Sequence, residues 1–218
     1  MSADIFDFWT NVRGDARVHP ADEKVLERSE HGFCLDCLPS NIDGNLKEAS
    51  VVLLFVNPGM NEIDLTEATD HKAHAKYKEM RAGNRPLRGE EDASRAYKWL
   101  LPITKDFGPW DVVQKKAAVL NIAAYHSREF KSPHMLAALP SCRVCLDWAQ
   151  SVLFPQAVAG KLVVICLRAA SYWGLRHKDQ RRFGETLFAP LTSRGGHMLK
   201  GNEREAVVAA ARRALGTA

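Results

Sequence analysis

The hydrophobic positions of this chain gather into short unbroken runs separated by stretches with helical spacing. The first clear run, 51–56 (VVLLFV), stops abruptly at Asn57-Pro58-Gly59. A continuous apolar run of this length marks a strand buried on both faces, the habit of parallel sheets. Pro58 has no N–H to offer a ladder, so the strand ends there, and Gly59 permits a sharp turn or a close approach. Three further runs repeat the pattern at 117–123 (AAVLNIA), 162–167 (LVVICL) and 186–191 (TLFAPL). Helices are predicted over 3–12 and 21–29, then over 66–82 and over 92–101, where Pro102 ends or kinks the helix. They continue over 141–153, where Val144, Cys145, Trp148 and Val152 fall at helical spacing, over the short 169–175, and over the amphipathic 203–215. The segment 33–38 is ambiguous. Residues 39–45, with Asp43-Gly44, read as turns, and 82–89 and the basic 176–184 read as loops.

Buried strands alternating with helices four times predict an α/β fold. The expected form is a three-layer sandwich with a central four-stranded parallel sheet, in a single domain spanning 1–218. A length of 218 residues suits one domain with a sizeable core. The 46% hydrophobic and 26% charged fractions are those of a soluble globular protein. No apolar run is long enough to cross a bilayer, and MSADIFDFW is acidic and aromatic rather than a basic-then-apolar leader. A cytoplasmic protein without a membrane partner is therefore expected. Five cysteines in that setting argue against a disulfide framework. The net charge of +4 permits an acidic partner such as nucleic acid. Its positive charge clusters at Arg176, His177, Lys178, Arg181 and Arg182 and at His71, Lys72, His74, Lys76 and Lys78, patterns that solvated faces also have.

The candidate chemistry stands at the strand ends: Asn57 after the first, Asn121 within the second, Arg168 after the third, and Arg194 with His197 after the fourth. In open α/β sheets that edge is where ligands bind. This set resembles the uracil-DNA glycosylase superfamily over residues 33–215, with several motifs in the family's order. FVNPGMNEID resembles the family's water-activating motif in the branches that carry Asn-Pro-Gly there. Leu120-Asn121 resembles the base-reading asparagine. The loop Gly83-Asn84-Arg85-Pro86-Leu87-Arg88-Gly89 is similar to the G-R-P-F-x-G loop of the thermostable iron–sulfur branch. SCRVCLDWAQSVLFPQAVAGKLVVICLRAASYWGL is similar to that branch's Cys-bearing helix, third strand and following helix. RGGHMLKGNEREAVVAAARRAL occupies the place of the DNA-intercalating loop and last helix. Three positions depart from the pattern. Arg194-Gly195-Gly196, with His197 behind, stands for the usual His-Pro-Ser. Leu87 replaces the stacking aromatic, and Tyr125 replaces a cluster cysteine.

The resemblance implies a DNA glycosylase that excises uracil or another deaminated base by hydrolysing the N-glycosidic bond, acting as a monomer on DNA. The transition state of such a cleavage resembles an oxocarbenium ion, and the base must first leave the stack. In this reading Asn57 holds the attacking water, and His197 or Arg194 stabilises the departing base. Asn121 reads the base edge with one donor and one acceptor, and Phe55, Met60, Leu87 and Tyr125 line the base pocket. Gly195 and Gly196 allow close approach to DNA, Met198 and Leu199 form an apolar wedge, and Arg88, Arg168, Arg194 and Lys200 meet phosphates. No lysine stands at a strand end to form an imine, so lyase chemistry is not expected. Local chemistry leaves other roles open. Asn57 suits a plain turn, Asn121 can satisfy backbone groups, and Met198 and Leu199 can pack into the core. Cys34-x-x-Cys37 and Cys142-x-x-Cys145 are candidate ligands for zinc or an iron–sulfur cluster, or simply buried thiols. Cys166 reads as packing.

Two other functions compete. One is a non-catalytic nucleic-acid or nucleobase binding protein on the same fold. The other is an unrelated α/β enzyme, favoured if Asn57 and Asn121 stand on non-adjacent strands.

Overall fold

The computed structural model of the chain describes residues 4–10, 12–92, 95–175 and 179–218. Its strands are β1 (Ile42–Gly44), β2 (Val51–Phe55), β3 (Ala117–Asn121), β4 (Val163–Cys166) and β5 (Leu187–Phe188). Its helices are α1 (Ile5–Thr10), α2 (Glu23–Arg28), α3 (Glu62–Glu67), α4 (His71–Arg81), α5 (Arg95–Thr104), α6 (Trp110–Lys116), α7 (Met135–Ala138), α8 (Pro140–Trp148), α9 (Phe154–Val158) and α10 (Asn202–Leu215). The strands form one sheet in the order β1-β3-β2-β4-β5. All pairings are parallel except the antiparallel β1–β3 edge.

The fold is thus an α/β sandwich on a five-stranded mixed sheet, not the four-stranded parallel sheet expected. The four apolar runs do become four parallel strands, with β2 central and paired on both sides. The extra strand comes from the turn-like 39–45. Gly44 makes its pairing possible at φ +105°, where a Cβ would lie 2.7 Å from the Ala117 carbonyl oxygen.

Alternation along β2 divides the core. Val52 and Leu54 face one side, with Trp148, Leu153 and Phe154. Val51, Leu53 and Phe55 face the other, with Leu100 and Ile103 of α5, Val113 of α6 and Val207 and Ala211 of α10. Such double burial explains the unbroken apolar runs.

Several helices differ from expectation in ways the residues explain. The predicted 66–82 helix is two, α3 and α4. Asp70 breaks it by capping α4, its side chain accepting from the Lys72 N–H at 2.9 Å. Pro102 lies inside α5 near its end, so the helix runs through it to Thr104. The predicted helix at 141–153 divides into α8 and a π-helical turn at Ala149–Leu153 and then continues as α9. Residues 169–175 form turns rather than a helix, beginning at Ala169 with φ +56°.

Among the described residues, no helix is long and apolar enough to cross a membrane.

Candidate functional site at the carboxyl edge of the sheet

The strand order makes the chain leave β2 for β3 on one side, then cross to β4 on the other. In open α/β sheets such a switch point, outside the carboxyl ends of the strands, is where ligands bind. Phe55 and Asn121 are register partners on adjacent strands, and both side chains lie on the face that holds Leu87. Adjacency removes the condition that favoured the unrelated-enzyme reading.

The Asn57-Pro58-Gly59 turn is fastened by the chain that follows β3. Ser127 N–H donates to the Pro58 carbonyl at 3.2 Å. Asn57 Nδ2 donates to Ser127 Oγ at 2.8 Å, to the Pro58 carbonyl at 2.9 Å and, more weakly, to the Tyr125 carbonyl at 3.4 Å. Its Oδ1 accepts no hydrogen bond among the described residues. The nitrogen end is therefore anchored, and the oxygen end is left for another donor.

His126 completes the clamp. Its Nδ1 lies 2.8 Å from the Gly59 carbonyl oxygen and 3.6 Å from Asp64 Oδ2. Burial pushes its pKa down, and the Asp64 carboxylate only partly opposes this, so the ring is neutral and donates from Nδ1 to Gly59. Asp64 in turn caps α3, accepting from the Asn61 N–H at 2.7 Å. Met60 stands half-buried between turn and cap.

Asn121 is 5% exposed, and its Nδ2 reaches the Ser40 carbonyl at a long 3.4 Å. Leu87 is held over the same face by two contacts to Gln114: its N–H donates to the Gln114 carbonyl at 3.0 Å, and its carbonyl accepts from Gln114 Nε2 at 3.1 Å. On the other side of Phe55 lies Trp99, with ring centroids 4.7 Å apart.

Trp99 Nε1 donates to the Gly195 carbonyl at 3.3 Å, linking this wall to the loop after β5. That loop is a small hairpin. Leu199 N–H donates to the Leu191 carbonyl and Ser193 N–H to the His197 carbonyl, each at 2.9 Å. Gly196 makes the tip possible, with φ +81° and a Cβ position only 3.1 Å from Phe55 Cε1. Arg168, exposed at the end of β4, donates from Nη1 to the Arg194 carbonyl. Met198 packs inward against the core that includes Phe55, while Leu199 is 52% exposed. His197, Arg194 and Lys200 are exposed. No hydrogen bond or ring contact joins His197 to Asn57 or Asn121 among the described residues.

Two sequence-based assignments are corrected. Arg88 is no surface cation: it is 5% exposed, and its Nε donates to Asp43 Oδ2 at 2.7 Å. Burial opposes its charge, but Asp43 and its neighbours outweigh that and raise its pKa. It fastens the Leu87 loop to β1 instead of meeting phosphate. Tyr125 points into the opposite core, its hydroxyl donating to Asp22 Oδ2 at 2.5 Å, and only its backbone carbonyl reaches Asn57.

The cysteines do not assemble. Among the described residues no three His, Cys, Asp or Glu side chains gather to hold a metal. Cys34 and Cys37 lie with sulfurs 3.7 Å apart. Cys145 is fully buried and donates to the Asn121 carbonyl at 3.3 Å. Burial pushes the thiols of Cys142, Cys145 and Cys166 upward, and Cys37 to about 12, so all four thiols stay protonated at neutral pH.

Of the basic clusters, Arg176, His177 and Lys178 lie outside the described residues. In the other, Lys76 is paired with Glu67 and Asp92. Sequence reading missed Trp99 as a wall of this site. Its only signal was a tryptophan among lysine and tyrosine on an amphipathic helix.

Comparison with protein families, with curated proteins and with solved structures finds no match for this chain.

Proposed function

We propose that the protein is a DNA glycosylase-like hydrolase of the uracil-DNA glycosylase kind, excising a deaminated base with a water held by Asn57. The observation that carries this reading is the pairing of Asn57 and Asn121 at one edge. One amide is anchored through its nitrogen with its oxygen unengaged, and the other sits in register with Phe55 on the adjacent strand. The order of the four parallel strands supports it, as does the exposed basic and apolar hairpin beside that edge.

In this mechanism the flipped base lies against Phe55 and Leu87, with its edge on Asn121. The C1′–N bond breaks first and leaves an oxocarbenium-like sugar. Asn57 Oδ1 accepts a hydrogen bond from water and aims it at C1′. A neutral amide is too weak a base to deprotonate that water early, so this arrangement suits a dissociative path. The water oxygen bonds to C1′ and its proton ends on the departed base. His197, on the exposed hairpin beside this edge, is the group offered to stabilise the base anion.

The test is single-turnover base release from oligonucleotides carrying uracil, hypoxanthine or xanthine, single- and double-stranded. Asn57→Ala is expected to reduce release by about 10²-fold or more, the usual effect of removing one well-placed polar group. DNA binding without release favours a second reading, a nucleic-acid binding protein on this fold. The observation behind that alternative is that His197 stands exposed, with no bond or ring contact to Asn57 among the described residues. Neither release nor binding by folded protein would end the DNA reading.

A further inference from the structure

Beside Asn121 lies a group of polar atoms that the protein leaves unsatisfied. Asn41 is 1% exposed, yet neither its Oδ1 nor its Nδ2 has a hydrogen-bond partner among the described residues, and the buried Ser40 hydroxyl also has none. Buried polar groups are nearly always paired, so a buried amide with neither end engaged points to a ligand.

The position of Asn41 is fixed by the sheet. Ile42 pairs with Leu120 in the antiparallel β1–β3 ladder. The next facing pair is Asn41 with Asn121, whose N–H donates to the Asn41 carbonyl at 2.8 Å. Residues that face one another in an antiparallel pair present their side chains on the same side. Ile42 packs into the opposite core, and Asp43 turns toward Arg88 in the Leu87 loop. Asn41 therefore shares the face of Asp43, Leu87, Asn121 and Phe55. Asn41, just ahead of β1, forms one row with Asn121 and Phe55, just inside the carboxyl edge.

We propose that Asn41 is a second specificity-determining residue. Together with Asn121 it selects a nucleobase whose edge is an imide: carbonyl, N–H, carbonyl. This rests on the nucleobase pocket of the reading above. Asn121 alone can pair with one carbonyl and the adjacent N–H. It cannot tell whether a second carbonyl follows. Asn41 Nδ2 supplies the donor for that second carbonyl. Uracil and xanthine carry the full imide edge. Hypoxanthine has a C–H in the last position and leaves the buried amide unpaired, which costs about ten- to a hundredfold in binding.

The experiment is titration of the full chain with free uracil, xanthine and hypoxanthine at up to millimolar concentration, by calorimetry and protein NMR. Native protein is expected to bind uracil and xanthine at least about tenfold more tightly than hypoxanthine. Asn41→Ala should abolish that preference. Asn41→Leu, nearly the same shape, serves if the alanine variant unfolds. It should disfavour the imide bases, because it has no donor for the second carbonyl. Absence of free-base binding, lack of preference in the native chain, or a preference that survives in folded Asn41 variants would overturn the proposal. Base release measured in parallel separates the two ideas. Asn41-dependent imide binding without release leaves this inference standing and removes the hydrolase reading. Release whose base preference ignores Asn41 does the reverse.

Discussion

The two halves of the sheet edge are built differently. On the β1–β3–β2 side, Asn121, Leu87 and Phe55 are buried, and the Asn57 turn is tied by Ser127, His126 and the α3 cap. On the β4–β5 side, Arg168, Arg194, His197 and Lys200 are exposed, and the hairpin is held by its own backbone bonds and by side-chain bonds from Trp99, from Arg168 and from Thr192 to the Leu167 carbonyl. A surface that reads one base must be rigid and dry before the ligand arrives, because reorganisation costs affinity. A surface that meets a charged backbone can stay solvated, since phosphate contacts act through charge more than through fit. The contrast teaches that two arginines alike in sequence, Arg88 and Arg168, belong to different machines.

The largest expected effect breaks the buried half. Arg88→Ala takes away the cation that the buried Asp43 faces, and such losses destabilise by about 3–5 kcal/mol. Chemical denaturation should show this. Arg88→Met with Asp43→Leu should recover much of it, because removing both charges also removes the desolvation penalty. Stability unchanged in Arg88→Ala would mean the Leu87 loop is not fastened to β1 by this pair.

Next is the joint between the halves. Gly196→Val forces a branched residue into φ +81° and sets its Cβ near 3.1 Å from Phe55. The backbone term alone is about 1–2 kcal/mol. A melting temperature lowered accordingly, with loss of DNA binding, is expected. Gly195→Ala is the milder control, since the added carbon meets the movable ring of His197 at 3.2 Å and Ser193 Oγ at an ordinary 3.8 Å. Equal tolerance of both substitutions would show that the hairpin is not seated on the pocket wall.

A smaller, pH-dependent effect tests the clamp on Asn57. Burial lowers the pKa of His126 below its ordinary value near 6.5. Above that value the ring is neutral in folded and unfolded chains and contributes no pH dependence. Below it the unfolded chain takes up the proton first, so stability falls on acidification. The slope is up to about 1.4 kcal/mol per pH unit until the folded protein also protonates. His126→Asn keeps a donor toward Gly59 but cannot titrate. Its denaturation free energy should vary less between about pH 7 and pH 5 than that of the native chain. Parallel pH curves would place the proton uptake elsewhere.

These effects also mark what could be read from sequence. The four parallel strands were legible because burial on both faces writes an unbroken apolar run. β1 was not, because Asp43 and Gly44 are turn formers, and only pairing with β3 makes them a strand. Asn57 and Asn121 were legible as strand-end amides. Arg88 and Tyr125 were misjudged because their partners, Asp43 and Asp22, lie 45 and 103 residues away. Local pattern cannot announce a buried polar pair closed by tertiary contact. The unsatisfied amide of Asn41 is likewise visible only once the sheet is assembled.

The smallest expected effect sharpens the comparison from the exposed side. Arg168 ends β4 in solvent, so Arg168→Gln should change stability by no more than about 0.5 kcal/mol. Gln keeps a donor for the Arg194 carbonyl and removes only the charge. If Arg168 meets a phosphate, DNA affinity falls and the slope of log affinity against log salt decreases by about one. The loss should be similar for every base offered, because phosphate contacts carry no base identity. An unchanged salt slope would mean that DNA does not cross this end of β4. A loss that varied with the base would mean that Arg168 reads the ligand, and that the division between a reading half and a gripping half is drawn in the wrong place.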